Sequence, residues 1–503
     1  NGKIDYLAVT SYAENYTFYQ DSFTADGTNF KLNEGDFNGT DFPDIYADNF
    51  EMKWLPYDDH MYVRNKLDSF KLYNNTAYFD GEIDLTRTGV NGAGIMATRG
   101  FESQSEDFTF SQFSVEAKHS MFTLQSDNQQ KPLLSGNDIR LNFDFARDLA
   151  NISPEIEGMA ALDFPFAQFK SSISNAQWNL QEQKVYMTKL PDVDIENSYF
   201  YATREELDSL AFNAESAVYD IETSQLKVSG IPYIIVADAM VTPENNEVLI
   251  FENAQIGELY NTTIVIDTLN EYHRLIDGTI QINSRQNFTG DATYEFVNAM
   301  KDTFNIKFGK FELWKDEKDK KATLQTVSSG FISENERLKI SEGMFYKGDL
   351  TMYARNRALE LDGYVQLDLK SRNNTTNWIK YNSMDEETQD VQFNFNQAVT
   401  EQGEGLTAGL HFGSLNSELY ATFAEDKRLD SDIDFFAAEG IFRYDPQKGM
   451  FMVEDTSKVN GNKFSGKVFG YNDETGDIAF EGPLKFVESS DDVSLAASGF
   501  GNG

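Results

Sequence analysis

One phrase recurs along this chain in different words, and it leaves few folds open. It reads GEIDLTRTGVNGAGIM at 81–96, GTIQINSRQNFTGDATY at 278–294 and GDLTMYARNRALELDGYVQLD at 348–368. Each copy holds a glycine, a run in which apolar and polar residues alternate, a short polar turn, a second glycine and another alternating run. A period of two places successive side chains on opposite faces of a strand. Each copy therefore predicts two half-buried strands joined by a turn, with the glycines read as turn residues. The expected fold class is all-β: an elongated repeat of short antiparallel strands, built as a β-solenoid, a jelly-roll-like spine or a folded-over sheet. A row of β-sandwich modules is the other arrangement that fits.

The same alternation returns in Phe108–Ala117, Ile139–Phe145, Thr303–Phe308 and Val391–Phe395, and aromatic residues make up 14% of the chain, as strands favour. Turn signals stand at Asn91-Gly92, Asp277-Gly278, Asp362-Gly363, Asn460-Gly461 and Thr475-Gly476-Asp477. One short helix is predicted near 203–210, where Thr203 and Glu206 have the spacing of a capping box. Asn298–Asp302 reads as a turn. The charged stretches Lys315–Lys321 and Ser371–Thr376 read as exposed loops. The organisation expected is an N-terminal β-repeat segment at 1–130, a central β segment at 131–330 and a C-terminal β-repeat segment at 331–503.

Charge narrows the partners. Asp and Glu total 82 against 42 Lys and Arg, a net charge of −40. Nucleic-acid binding needs a basic footprint, and anionic lipid headgroups repel such a surface. Divalent cations and basic partners suit it better. The chain has no cysteine, which removes disulfides, thiolate metal sites and a cysteine nucleophile.

No apolar stretch approaches the roughly 20 residues of a transmembrane helix. The most apolar run, Ile231–Ala237, is strand-sized. It predicts a buried central strand with Pro232 at its start and Asp238 at its exit to solvent. Charges interrupt both faces of stretches such as Lys307–Leu313, which argues against a transmembrane barrel. The first residue is Asn, no signal peptide opens the chain, and both ends read as those of a piece of something longer.

The residues that carry chemistry are scattered. His60, His119, His273 and His411 lack metal-binding spacing, and no serine-nucleophile or phosphate-loop motif occurs. No catalytic and no cofactor-binding residue is assigned, and the chain is read as a non-enzyme. The one cofactor to look for is a structural Ca²⁺. Asp36, Asn38 and Asp41 alternate around Gly39, and Asp430, Asp432 and Asp434 are spaced to share one strand face. Asp208-Ser209-Leu210 and Asp267-Thr268-Leu269 match a short pattern for O-glycosylation on Ser209 and Thr268.

The stretches Ser198–Asn213, Leu226–Ala239 and Asp267–Leu275, with Ile282–Arg285, Thr326–Gly330, Gly409–His411 and Phe480–Pro483, resemble a large, poorly characterised family of β-repeat envelope proteins from Bacteroidota. The resemblance spans roughly 200–485. It implies an exported protein on the periplasmic or extracellular side of the outer membrane, working with protein partners in an envelope assembly. It transfers no catalytic residue. The strand pattern is also similar to the folded-over sheets of lipopolysaccharide-transport proteins. The function expected is a non-enzymatic structural or scaffold component. Two alternatives stand beside it. One is a β-groove conduit for lipid or polymer, with Phe108, Phe110, Phe113, Val115 and Phe122 as its lining. The other is a calcium-dependent carbohydrate-binding or carbohydrate-active protein.

Overall fold

The computed structural model describes residues 2–125, 131–315, 323–372, 374–383, 391–458, 464–486 and 495–503. The protein is all-β: 61% of it is strand, and among the described residues no helix reaches seven residues. It divides into two compact units. The first holds 1–236, 240–261 and 281–288, and the second holds 237–239, 262–280 and 289–503.

The first unit starts as an antiparallel meander. Its strands are β1 (Gly2–Tyr6), β2 (Val9–Phe18), β3 (Phe23–Leu32), the side hairpin β4 (Gly35–Phe37) and β5 (Thr40–Phe42), and β6 (Ile45–Leu55). β7 (His60–Asn65) and β8 (Phe70–Leu72) lie end to end between β6 and β9 (Ala77–Thr86). β10 (Gly89–Thr98), β11 (Phe101–Phe110), β12 (Ser114–Leu124) and β13 (Leu134–Asp144) follow in order.

At β13 the sheet forks. One half of β13 pairs with β14 (Leu149–Pro154), the other with β15 (Leu162–Phe164). The chain then alternates between the two branches. It runs through β16 (Phe169–Ser171), β17 (Asn175–Asn179), β18 (Lys184–Thr188), β19 (Tyr199–Ala202), β20 (Ala211–Asn213), β21 (Ser216–Asp220) and β22 (Gln225–Ser229). Next come β23 (Ile234–Val236), β24 (Ala239–Thr242) and β25 (Glu247–Ile250). β14, β17, β18, β21, β22 and β25 form one layer, and β15, β16, β19 and β20 form the other. The layers face each other: the Phe164 ring of one meets the Tyr219 ring of the other edge-on at 5.0 Å. This is the folded-over sheet.

Register explains why it holds. Following directly opposed residues from β6 gives Trp54, Met61, Leu85, Val90, Phe110, Val115 and Phe143. The row continues through Ala150, Trp178, Val185, Tyr219, Leu226 and Ile250. From Met61 onward every member is buried. One residue along, the opposed row reads Lys53, Tyr62, Asp84, Asn91, Thr109, Glu116, Asn142, Asn151 and Gln177. A slip of one residue anywhere would exchange these rows, and burying a large apolar side chain stabilises by about 1.5–3 kcal/mol.

Apart from Gly89, which closes the Arg87-Thr88 turn opposite Thr86, the glycines of the repeated phrase lie inside strands, not at the turns. Asn91-Gly92, Asp277-Gly278 and Asp362-Gly363 are likewise strand residues, whereas Thr475 is in a true turn and Asn460-Gly461 lies outside the described residues. Gly81 opposes Gly94, and a Cβ on either would sit 2.2 Å from a carbonyl oxygen of the facing strand. Gly348 opposes Gly363 in the same way, and Gly290 would place a Cβ 2.0 Å from the Thr279 carbonyl. Neighbouring backbones approach too closely there for any side chain, next to a bulge in the β10–β11 ladder between Gly92 and Gly94.

In the second unit, strands Asn287–Val297, Thr303–Trp314, Gln325–Ile332, Met344–Tyr353, Glu360–Leu369 and Ile379–Asn382 pair antiparallel. A six-stranded sheet ends the chain, and a three-stranded sheet packs on it through Phe423, whose ring stacks 4.4 Å from Tyr471.

Several expectations are corrected. The boundaries near 130 and 330 are not divisions, because β12 and β13 pair across the first and strand Gln325–Ile332 spans the second. The helix near 203–210 is one 3₁₀ turn, Glu205–Leu207, capped by Arg204 without a side-chain hydrogen bond; Asp208 and Ser209 follow it in left-handed conformations (φ 51° and 54°), which end it. Ile231–Ala237 is not buried on both faces. Ile231, Ile234 and Val236 are buried, but Tyr233 and Ile235 are each 46% exposed, so the two-residue period prevails. Asp238 accepts hydrogen bonds from the amide and hydroxyl of Thr326. Lys315 apart, the predicted loop at 315–321 lies outside the described residues.

Replacing Gly81 with Ala should destabilise the first unit by about 1–3 kcal/mol, because backbone cannot rotate out of the way. Gly405→Ala, where a Cβ meets nothing within 4 Å, should be near neutral. Urea-unfolding midpoints of the two variants check this.

Candidate functional site

The two acidic motifs fold into different things. Asn38 and Gly39 both have positive φ (60° and 86°) and form the tip of the β4–β5 hairpin. Asp36 and Asp41 are opposed across it, and Asp36 Oδ1 accepts the Gly39 amide at 2.9 Å. The alternation of oxygen side chains is that of an Asn-Gly hairpin turn. Asp430 lies in a turn, Asp432 precedes a strand, and only Asp434 is within it, so the three do not share a strand face. Among the described residues, no group of three or more His, Asp or Glu is placed to hold a metal ion.

Asp432 and Asp434 belong instead to a hydrogen-bonded network in the three-stranded sheet. Strand Thr407–Phe412 lies between Leu419–Glu425 and Ile433–Ala437. Its buried His411 is opposed by Tyr420 on one side and Asp434 on the other. His411 Nδ1 lies 2.8 Å from Asp434 Oδ1, and Nε2 lies 2.7 Å from Thr422 Oγ1. The carboxylate fixes the proton on Nδ1, so Thr422 donates to Nε2. Lys427 Nζ flanks Asp434 at 3.3 Å.

Asp432 is 4% exposed and accepts four bonds: the Ser414 amide (2.8 Å) and hydroxyl (2.9 Å), the Tyr420 hydroxyl (2.6 Å) and the Leu429 amide (3.1 Å). Led by the Ser414 amide, these donors hold its carboxyl down to about 2.

Acid, imidazole and hydroxyl are connected here as in nucleophilic hydrolases. The resemblance stops at access. Thr422 is 2% exposed, and Thr407 Oγ1 lies 2.9 Å from its hydroxyl, so no substrate carbonyl reaches it. Burial holds the His411 imidazole below its ordinary value and keeps it neutral. The network pins three strands together.

The other histidines are each hydrogen-bonded as well. His273 is fully buried; its Nε2 donates to the carbonyls of Asn356 (2.7 Å) and Tyr353 (3.2 Å), and its Nδ1 accepts from Tyr294 at 3.1 Å. Burial lowers its pKa and raises that of Tyr294 to about 12. His60 and His119 lie nearer solvent, each 2.8 Å from an aspartate, Asp84 and Asp138, whose hydrogen bonds raise them.

Ser209 is exposed and in a left-handed conformation beside Asp208, which closes the 3₁₀ turn. Thr268 is half-buried, and its neighbour Asp267 is buried, accepting the Leu269 amide. Of the residues that would line a groove, Phe108, Phe110, Val115 and Phe122 are at most 1% exposed, and Phe113 faces solvent. The face of β11 and β12 is a closed core.

One feature left no trace in the sequence. Lys347 Nζ sits 3.1 Å from Glu334, 3.0 Å from Glu401 and 4.7 Å above the Trp378 ring. Its partners are separated along the chain, so only the fold assembles them.

No protein-family model matches the chain, and no curated protein or solved structure matches it either.

His273 and His411 give stability a pH dependence of known sign. Their folded values lie below the ordinary 6.5, so the unfolded chain takes up protons that the folded chain refuses. Their contribution is present above pH 6.5 and is lost as pH falls from 6.5 through the lowered folded values. The melting temperature should therefore fall more steeply between pH 7.5 and 5 in the parent than in a His273→Gln/His411→Gln variant; equal slopes would refute it. Asp432→Ala should strand four donors and lower the melting temperature by several degrees, measured by thermal denaturation.

Proposed function

We propose that this chain is a non-enzymatic structural component of a bacterial cell-envelope assembly. It works among protein partners on the periplasmic or extracellular side of the outer membrane, as its resemblance to Bacteroidota envelope proteins implies. The observation that carries the reading is the continuous opposed row from Trp54 to Ile250. It spends one face of thirteen strands of the 21-stranded sheet on a closed core and leaves the other as a long polar surface. Such a surface suits broad contact. An excess of 82 acidic over 42 basic residues favours basic partner surfaces and salt-dependent association.

The groups with catalytic chemistry support the same reading. His273 and His411 are buried between strands, and Asp432 is saturated with internal donors. The conduit reading has less behind it, because Phe108, Phe110, Val115 and Phe122 are packed away from solvent.

Gentle purification of the native protein from its source membrane, with mass spectrometry of what accompanies it, tests the proposal. Stoichiometric envelope proteins that dissociate at high salt are expected. A solitary protein carrying lipid would overturn the scaffold reading.

A further inference from the structure

Two cavities of about 380 and 640 Å³ adjoin on the outer face of β2, β3, β6 and β7, sharing Asn15 and Asp26 in their walls. They lie on the polar face of the first unit, not in its core. Register builds them from three successive rows that cross the strands. One row opposes Tyr12, Thr28 and Asn49. The next opposes Asn15, Asp26, Glu51 and Arg64. The third opposes Thr17, Thr24, Lys53 and Tyr62. Two irregularities in the β2–β3 ladder, between Thr10 and Tyr12 and between Ala13 and Asn15, bend the sheet at this place.

We propose that this groove binds a neutral, hydroxyl-rich oligosaccharide lying across the strands. Three observations support it.

The first is uncommitted hydrogen-bonding capacity. The side chains of Asn15, Thr17, Thr24, Thr28 and Asn49 make no hydrogen bond to another described residue, and neither do the hydroxyls of Tyr12 and Tyr62. Further along the same face, several polar side chains are paired with each other: Gln177 with Asn151 at 3.1 Å, Arg140 with Glu155 at 3.2 Å, Thr109 with Asn91 at 3.2 Å. Amides and hydroxyls both donate and accept, as sugar hydroxyls do.

The second is charge. The groove holds four carboxylates (Glu14, Asp26, Glu51, Glu82) and three cations (Lys53, Arg64, Lys66), whereas the chain has 82 against 42. Two of the three cations are spent internally: Lys66 bridges Asp26 (2.7 Å) and Glu51 (2.9 Å), and Arg64 pairs with Glu82 at 3.3 Å. Lys53 and Glu14 make no ion pair to another described residue, and as one charge of each sign they leave the floor close to neutral.

The third is shape. Tyr12, 47% exposed, and Tyr62 stand at opposite sides of the groove and present ring surface for the apolar face of a sugar. A linear ligand crossing the strands meets a new side chain about every 4.8 Å. An extended peptide would instead seek free backbone groups at a sheet edge, and this face has none to give.

The test uses the full chain and a panel of neutral hexaoses (β-1,4-glucan, β-1,3-glucan and β-1,4-mannan), read by isothermal titration calorimetry. Binding of at least one is expected, unaffected by 0.5 M NaCl. Tyr12→Ala and the Asn15→Ala/Thr24→Ala pair should each weaken it at least tenfold, since these side chains have no internal hydrogen-bond partner to lose and melting temperature should hold. Gln177→Ala, on the same face outside the groove, should leave it unchanged. Failure of every hexaose, equal binding by the groove variants, or binding that disappears with salt would each overturn the proposal. None of these outcomes touches the scaffold reading, which depends on protein partners.

Discussion

The interaction on which the rest of the first unit depends is the apolar row that runs from Trp54 to Ile250 across the sheet. Each hydrogen-bonded ladder fixes only two strands. The row is what makes successive ladders agree, because all members must stay on one face for any of them to be dry. It passes through the fork at β13 by way of Phe143 and Ala150, so the layer that follows inherits the register of the meander before it. The second layer then closes over it with Phe164 against Tyr219, and Tyr219 donates to the Leu133 carbonyl at 3.1 Å. A sheet with one dry face and one wet face needs such a cover, and the chain supplies it by alternating between branches.

The ionisable groups follow from the same economy of burial. A strand-rich interior offers few places for charge, and three of its buried titratable groups are surrounded by partners. Asp432 has four donors, His273 has two carbonyls and a hydroxyl, and His411 is held between an acid and an alcohol. These are cross-strand ties of the kind that fix pairing. The polar outer face differs, and in the groove between Tyr12 and Tyr62 it leaves a group of amides and hydroxyls without partners among the described residues.

How much of this was legible in the chain differs element by element. Strand existence was, because alternation in Phe108–Ala117 or Ile139–Phe145 has no helical reading. The meaning of glycine was not. Asn91-Gly92 and Asp362-Gly363 have turn composition, yet both sit within strands, because a facing backbone can demand glycine as strictly as a turn does. Asn38-Gly39 has the same composition and is a turn, and local sequence does not separate the cases. The acidic motifs failed for a related reason. Asp430, Asp432 and Asp434 have strand spacing, but the strand begins after Asp432, which is recruited by Ser414 and Tyr420 from elsewhere in the chain.

The sequence by itself determined an all-β protein with one apolar and one polar face to its strands, since the period of two is a local property that no packing can alter. Only the tertiary structure decided which strands pair, where the sheet forks into two layers, that the division into units lies away from 130 and 330, and which polar groups end as ties or as a groove. Those outcomes depend on residues far apart in sequence meeting at one point, and opposed pairs such as Tyr219 with Val185, or His411 with Asp434, carry no mark of their partner until the register is set.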